Sequence, residues 1–294
     1  MTTLVSAPHT VGTATFPASA DVQAIIRLAL NEDLGRGDIT TESTVPRGAT
    51  ASAEVLQKAT GVVCGLPVVE AVFHTIDPRV EVTRVADEGS FSDERRRVVA
   101  RMQGPADAIL TGERTSLNFL QRLSGVASIS RKASQLVAGT RARVIDTRKT
   151  TPGMRVLEKY AVRVGGASNH RAGLDDGFLI KENHIRAAGG ITAAVTAAMH
   201  RAAPGQIVEV EVTTLTELDE ALRAGATLIL LDNFSVELLR QAVAHTNRQA
   251  RLEASGGINL DNLAEIAATG VDFVSLGALT HSAGALDFSL EVLV

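Results

Sequence analysis

The chain has 294 residues, a formal net charge of −4 and one cysteine, Cys64. Aromatic residues make up 3% of it and tryptophan is absent, so it lacks both a base-stacking surface and the positive field of a nucleic-acid binder. A single cysteine excludes an intrachain disulfide and any CxxC motif, and its neighbours Val62, Val63 and Leu66 mark it as a small buried residue.

Residues 1–20 are rich in Thr, Ala, Ser and Pro and lack the basic start and apolar core of a signal peptide, which predicts a flexible tail. No apolar run reaches the roughly 18 residues of a membrane span, so the expectation is a soluble, cytoplasmic protein without membrane partners. Asp21 is placed to cap a helix whose apolar residues Val22, Ile25, Ile26, Ala29 and Leu30 follow helical spacing. That helix should stop at the glycine-punctuated Leu34-Gly35-Arg36-Gly37-Asp38. Strands are predicted at Ala51–Leu56, Val80–Val85 and Val98–Met102, with a helix over Pro67–Ile76, a series suited to an α+β layer.

After Thr115 the rhythm changes. A helical stretch over Thr115–Ala138 leads to a strand at Val144-Ile145-Asp146. Short β-rich runs then alternate with helices: Phe178–Ile180, Ile207–Val212, Thr227–Leu231, Arg251–Ala254 and Asp272–Leu276. Thr216 and Asn259 are read as the starts of two of the intervening helices, with Gly225 and Gly270 as their stops. Repeated βα units either close into a barrel or spread into an open doubly wound sheet, and the spacing alone does not choose.

In both architectures ligands gather at the carboxyl ends of the strands. Those ends are polar here: Asp146-Thr147-Arg148-Lys149, Lys181-Glu182-Asn183, Glu211, Asp232-Asn233, Ser255-Gly256-Gly257 and Gly277-Ala278. Arg148, Lys149, His170, Arg171 and Lys181 concentrate positive charge in an otherwise acidic chain, which suits a small polyanion. Arg155, Lys159 and Arg163 fit a solvated helix face. Glu211 and Asp232 close successive strands and are able to bind Mg²⁺ or ribose hydroxyls, or to stabilise a cationic transition state. Glu209 has the same strand-face parity as Glu211, so sequence only weakly separates the two. Ser255-Gly256-Gly257 is expected to open a helix near Asn259 and to bring backbone N–H groups to a phosphate. With Gly277 after the next strand, this pair of glycine loops shifts the reading towards a barrel.

Several of these motifs together resemble quinolinate phosphoribosyltransferases: Asp33-Leu34-Gly35-Arg36-Gly37-Asp38-Ile39-Thr40, Gly112–Asn118, Asp146–Gly153, Asn169-His170-Arg171, Lys181–His184, Leu231-Asp232-Asn233 and Ser255-Gly256-Gly257. The resemblance runs from about Asp21 to the end of the chain. It implies an N-terminal open-faced α/β sandwich over 21–118, joined by 281–294, and a C-terminal incomplete α/β barrel over 119–280. It also implies a homodimer in which Arg114 completes the partner's site. The implied reaction joins quinolinate to phosphoribosyl pyrophosphate with Mg²⁺ and no organic cofactor, giving nicotinate mononucleotide, pyrophosphate and carbon dioxide. Arg114, Thr147, Arg148, His170, Arg171 and Lys181 would then hold quinolinate. Lys149, Glu211 and Asp232 would be catalytic, the two acids also meeting Mg²⁺ and ribose. Ser255, Gly256, Gly257, Gly277 and His281 would hold the 5′-phosphate. A protein of the same fold that binds an oxyanion for uptake, or an enzyme that uses nicotinate and releases no carbon dioxide, are the alternatives.

Overall fold

The computed structural model describes residues 14–293. Most of the expected tail, residues 1–13, lies outside them. In chain order the elements are α1 (Ala20–Leu34), α2 (Ile39–Thr44), β1 (Thr50–Gln57), β2 (Gly61–Val62), α3 (Leu66–Ile76), β3 (Glu81–Arg84), β4 (Phe91–Ser92), β5 (Arg97–Pro105) and α4 (Ala106–Leu136). There follow β6 (Arg143–Ile145), α5 (Arg155–Val164), β7 (Phe178–Ile180), α6 (Glu182–Ala188), α7 (Ile191–Arg201), β8 (Val208–Val212) and α8 (Leu215–Arg223). The chain ends with β9 (Leu228–Asp232), α9 (Val236–Thr246), β10 (Arg251–Ser255), α10 (Leu263–Ala267), β11 (Phe273–Ser275), α11 (Ala278–His281) and β12 (Phe288–Leu293).

These elements form two compact units. One holds the described residues up to Arg131, together with Thr150–Gly166 and the chain from Ser282. Its antiparallel sheet has the order β12-β1-β5-β3, so the C-terminal strand lies beside the first strand of the chain. The sheet's apolar face meets α3 and the start of α4 in a core that includes Val55, Phe73, Val99, Ile109 and Leu120. Phe16, inside the expected tail, meets the ring of Tyr160 edge-on at 5.3 Å. Ser19, not Asp21, caps α1 by accepting from the Val22 N–H, and Asp21 falls in the first turn. Asp38 caps α2, a helix the sequence pattern does not reveal.

Helix α4 begins nine residues before the expected Thr115 (115 − 106). Gly112 and Gly125 lie within it, and each is a contact point. A Cβ on Gly112 would come within 2.6 Å of Phe73, and one on Gly125 within 1.8 Å of the Gly284 carbonyl. The 150–166 segment, with α5, belongs to this unit, whereas the linear reading assigns it to the barrel.

The other unit comprises Lys132–Lys149 and Ala167–His281. Its six strands are all parallel, in the order β6-β11-β10-β9-β8-β7. The terminal strands β6 and β7 do not pair with each other, so the sheet stays open at that seam. This is the incomplete α/β barrel of the sequence reading. Thr214, not Thr216, caps α8, because its hydroxyl accepts from the Glu217 N–H. No helix of the described residues is long and apolar enough to cross a membrane.

Candidate active site

The carboxyl ends of the parallel strands carry the polar groups. Lys181, following β7, places its Nζ 3.2 Å from Glu211 Oε2 near the end of β8. Asp232 ends β9 in register with Ser255 at the end of β10, and its Oδ2 accepts from Asn233 Nδ2 at 2.8 Å. Asn233 itself adopts φ +57°, an unusual conformation for a residue other than glycine. Gly256 (φ +91°) packs tightly on it: a Cβ there would lie 2.2 Å from Asn233 Oδ1.

The expected helix at Asn259 is absent. Asn259 Oδ1 instead accepts from the N–H groups of Asp261 and Asn262, and α10 starts only at Leu263. An asparagine side chain that bonds the following backbone competes with helix formation. The Ser255-Gly256-Gly257 loop therefore does not lead directly into a helix N-terminus.

Lys149, Gly277 and His281 gather where β6 adjoins β11. Thr280 Oγ1 donates to the Lys149 carbonyl at 2.7 Å, and a Cβ on Gly277 would lie 3.0 Å from His281 Nε2 and 3.4 Å from Lys149 Cδ. Thr147 Oγ1 accepts from the Lys149 N–H at 3.0 Å. Arg171 is buried, and its Nη1 donates to the Gly177 carbonyl at 2.9 Å. Burial, and then the charge of Arg148, lower its pKa.

Beneath these groups lies a cluster that sequence reasoning mostly passed over. Asp146 is fully buried. It accepts from the His170 N–H at 2.8 Å and from Asn169 Nδ2 at 2.7 Å, which pins the loop entering Arg171. His170 Nε2 lies 2.8 Å from Glu209 Oε2 and 3.6 Å from Glu253 Oε2. Both acids are fully buried. Burial pushes the carboxyl of Glu209 up to about 7 and raises that of Glu253 well above its ordinary value. Glu253 had a signal, a lone charge between Leu252 and Ala254 in an apolar strand. Parity alone left Glu209 and Glu211 unresolved. The structure separates them, with Glu209 inside and Glu211 at the rim.

Other expectations change. Lys159 is buried, as is its neighbour Glu158, so α5 does not present a solvated cationic face. Arg114 lies on α4 in the antiparallel-sheet unit, 59% exposed, with Nη2 3.8 Å from Glu113. The sequence places His170 among the ligands of a carboxylate. In the structure both its ring nitrogens have partners within the protein, Glu209 on one side and the Arg171 N–H on the other. Cys64 is buried as expected, and burial raises its thiol pKa.

Family models match almost the whole described chain. Residues 38–124 match the quinolinate phosphoribosyl transferase N-terminal domain, and residues 126–291 match the C-terminal domain. The chain belongs to the quinolinate phosphoribosyltransferase family. It is 43% identical to a nicotinate-nucleotide pyrophosphorylase (carboxylating) of Mycobacterium leprae over 94% of this chain and 98% of that one. It is 42% identical to a probable enzyme of the same name from Bacillus subtilis over 89% and 90% of the two chains. The solved nicotinate-nucleotide pyrophosphorylase of Francisella tularensis superposes with a TM-score of 0.89 at 40% identity, covering 93% of this chain and 96% of that one. A Pyrococcus furiosus structure at 18% identity and TM-score 0.70 shares the fold. The quinolinate phosphoribosyltransferase fold thus accounts for both units, the antiparallel sheet and the open parallel barrel.

Proposed function

We propose that this quinolinate phosphoribosyltransferase family member forms nicotinate mononucleotide, pyrophosphate and carbon dioxide from quinolinate and phosphoribosyl pyrophosphate, a step of NAD biosynthesis. The observation that carries the reading is the pairing of opposite charges along one rim. Lys181 lies 3.2 Å from Glu211, at the strand ends that also carry Asp232, and Arg148 and Arg171 add two further cations from the same unit. A dicarboxylate requires the cations, and a glycosyl centre that gains positive charge requires the carboxylates.

Arg148, Arg171 and Lys181 bind the two carboxylates of quinolinate, Thr147 adds a hydrogen bond, and Arg114 of a second copy closes the site. Lys149 sits between quinolinate and pyrophosphate. Ser255, Gly256, Gly257, Gly277 and His281 take the 5′-phosphate. Glu211 and Asp232 hold ribose hydroxyls and stabilise charge at the anomeric carbon as the pyridine nitrogen attacks it and pyrophosphate departs. The pyridinium product then accepts the electron pair released when the adjacent carboxylate leaves as carbon dioxide. Glu211 and Asp232 also fit Mg²⁺, because two hard carboxylates end adjacent strands; the ion would neutralise charge on the pyrophosphate group. The active form is a cytoplasmic homodimer.

The test is turnover by purified protein with quinolinate, phosphoribosyl pyrophosphate and Mg²⁺. Equal amounts of nicotinate mononucleotide and carbon dioxide are expected. Turnover of nicotinate without carbon dioxide, or no product at all, would overturn the reading.

A further inference from the structure

Arg171 is held from within the parallel sheet. The Arg171 backbone N–H can only donate, and it donates to His170 Nδ1 at 2.7 Å. The ring proton therefore resides on Nε2, directed at Glu209 Oε2 2.8 Å away. This contact makes Glu209 the acceptor. Glu209 Oε1 and both oxygens of Glu253 are buried and have no other hydrogen-bond partner. Two ionised carboxylates side by side without solvent are strongly disfavoured, whereas a shared proton satisfies both. His170, Glu209 and Glu253 each bring an atom within 4.8 Å of the others, and because Glu209 already accepts from His170, the shared proton belongs on Glu253, directed at Glu209. The chain of bonds then runs Glu253, Glu209, His170, Arg171, across β10, β8 and the loop entered at Ser168.

We propose that Glu209 and Glu253 are positioning residues for quinolinate, acting through a neutral His170 that orients Arg171. The inference rests on the proposed assignment of Arg171 to quinolinate. It predicts a selective defect. Loss of the buried acid pair lets the His170 ring turn and displaces Arg171, whereas the phosphate loop at Ser255–Gly257 keeps its own backbone bonds.

The experiment compares Glu253→Leu with Glu253→Gln, measuring KM for each substrate with the other saturating. Glu253→Leu should raise the quinolinate KM about tenfold or more and leave the phosphoribosyl pyrophosphate KM within about twofold. Glu253→Gln, whose amide still donates to Glu209, should recover most of the lost quinolinate affinity. Equal rises in both KM values, or no recovery with glutamine, overturns the proposal. Should Glu253→Leu fail to fold, ¹⁵N-histidine NMR of the native protein decides, independently of turnover. A neutral Nε2–H ring at His170 at neutral pH is expected, and an Nδ1–H tautomer or an imidazolium is contrary to it. If native protein forms no product, the functional reading falls, and the tautomer measurement still tests the hydrogen-bond chain.

Discussion

Lys181 Nζ lies 3.2 Å from Glu211 Oε2, joining the cation after β7 to the acid at the end of β8. Lys181 is half exposed, so this pair adds at most about 1 kcal/mol to stability. Lys181→Met should therefore leave the melting temperature nearly unchanged. Its effect should appear in kcat/KM for quinolinate, where loss of a carboxylate partner costs about 2–4 kcal/mol. A variant that melts early yet keeps the native quinolinate KM would make Lys181 part of the scaffold.

Gly256 and Gly257 provide a contrast within one loop. A methyl at Gly256 collides with Asn233 and forces the carboxyl end of β9 to move, whereas at Gly257 (φ +63°) it meets nothing within 4 Å. Gly257→Ala bears only the strain of a left-handed residue, about 1 kcal/mol. Gly256→Ala should cost about 1–3 kcal/mol in stability and raise the phosphoribosyl pyrophosphate KM more than the quinolinate KM. Denaturation curves and the two KM values measure this. The same profile for both substitutions would separate the Asn233 contact from ligand binding.

The acid pair makes stability depend on pH in a definite direction. Burial raises the folded-state pKa of Glu253, so the native state holds that proton more tightly than the unfolded chain does. The contribution is complete below about pH 4.3, the ordinary glutamate value, and is lost as pH rises through the raised folded value. Unfolding free energy should therefore fall with increasing pH, at up to about 1.4 kcal/mol per unit for one proton. Glu253→Gln should flatten that slope. Urea denaturation at several pH values from 5 to 8 supplies the measurement, and an unchanged slope in the variant would assign the dependence to other groups, such as Glu88, whose carboxyl pKa is also raised.

If a second copy supplies Arg114, two defective chains can repair each other. Arg114→Ala and Arg171→Ala should each be nearly inactive alone. Mixed, unfolded together and refolded, they should regain activity, because some dimers carry one intact site. No recovery despite mixed dimers would place Arg114 in its own chain's site.

The strand ends were legible in the sequence because each charge follows an apolar run, and all six parallel strands fall within a residue of their expected bounds. The family motifs added what periodicity could not, the dicarboxylate. Less legible were features decided by contacts distant in sequence. Nothing in the pattern around Gly125 shows that Gly284 packs against it, and Asn259 reads as a helix start until its side chain turns back onto Asp261. Glu253 carries no mark of its partner in the sequence, since only the fold brings it to His170.

Glu158 illustrates the same limit in α5, where spacing suggests a solvated face. Its side chain is fully buried and bonds Arg122 Nε at 3.0 Å and Nη2 at 2.7 Å. It also accepts from the Thr151 N–H and hydroxyl, and Arg122 reaches the Ala283 carbonyl at 2.7 Å. Three segments of one unit, α4, residues 150–166 and the chain after Ser282, thus meet at this ion pair. Glu158→Ala removes the acid and leaves the guanidinium within the fold. The cost should be about 3 kcal/mol, at the lower end for a buried pair because Arg122 is one-quarter exposed. Arg122→Met with Glu158→Met should be less destabilised than Glu158→Ala, since neither charge is then stranded. Thermal melts of the three proteins test the order, and a Glu158→Ala protein as stable as the native one would show that the pair does not tie these segments together.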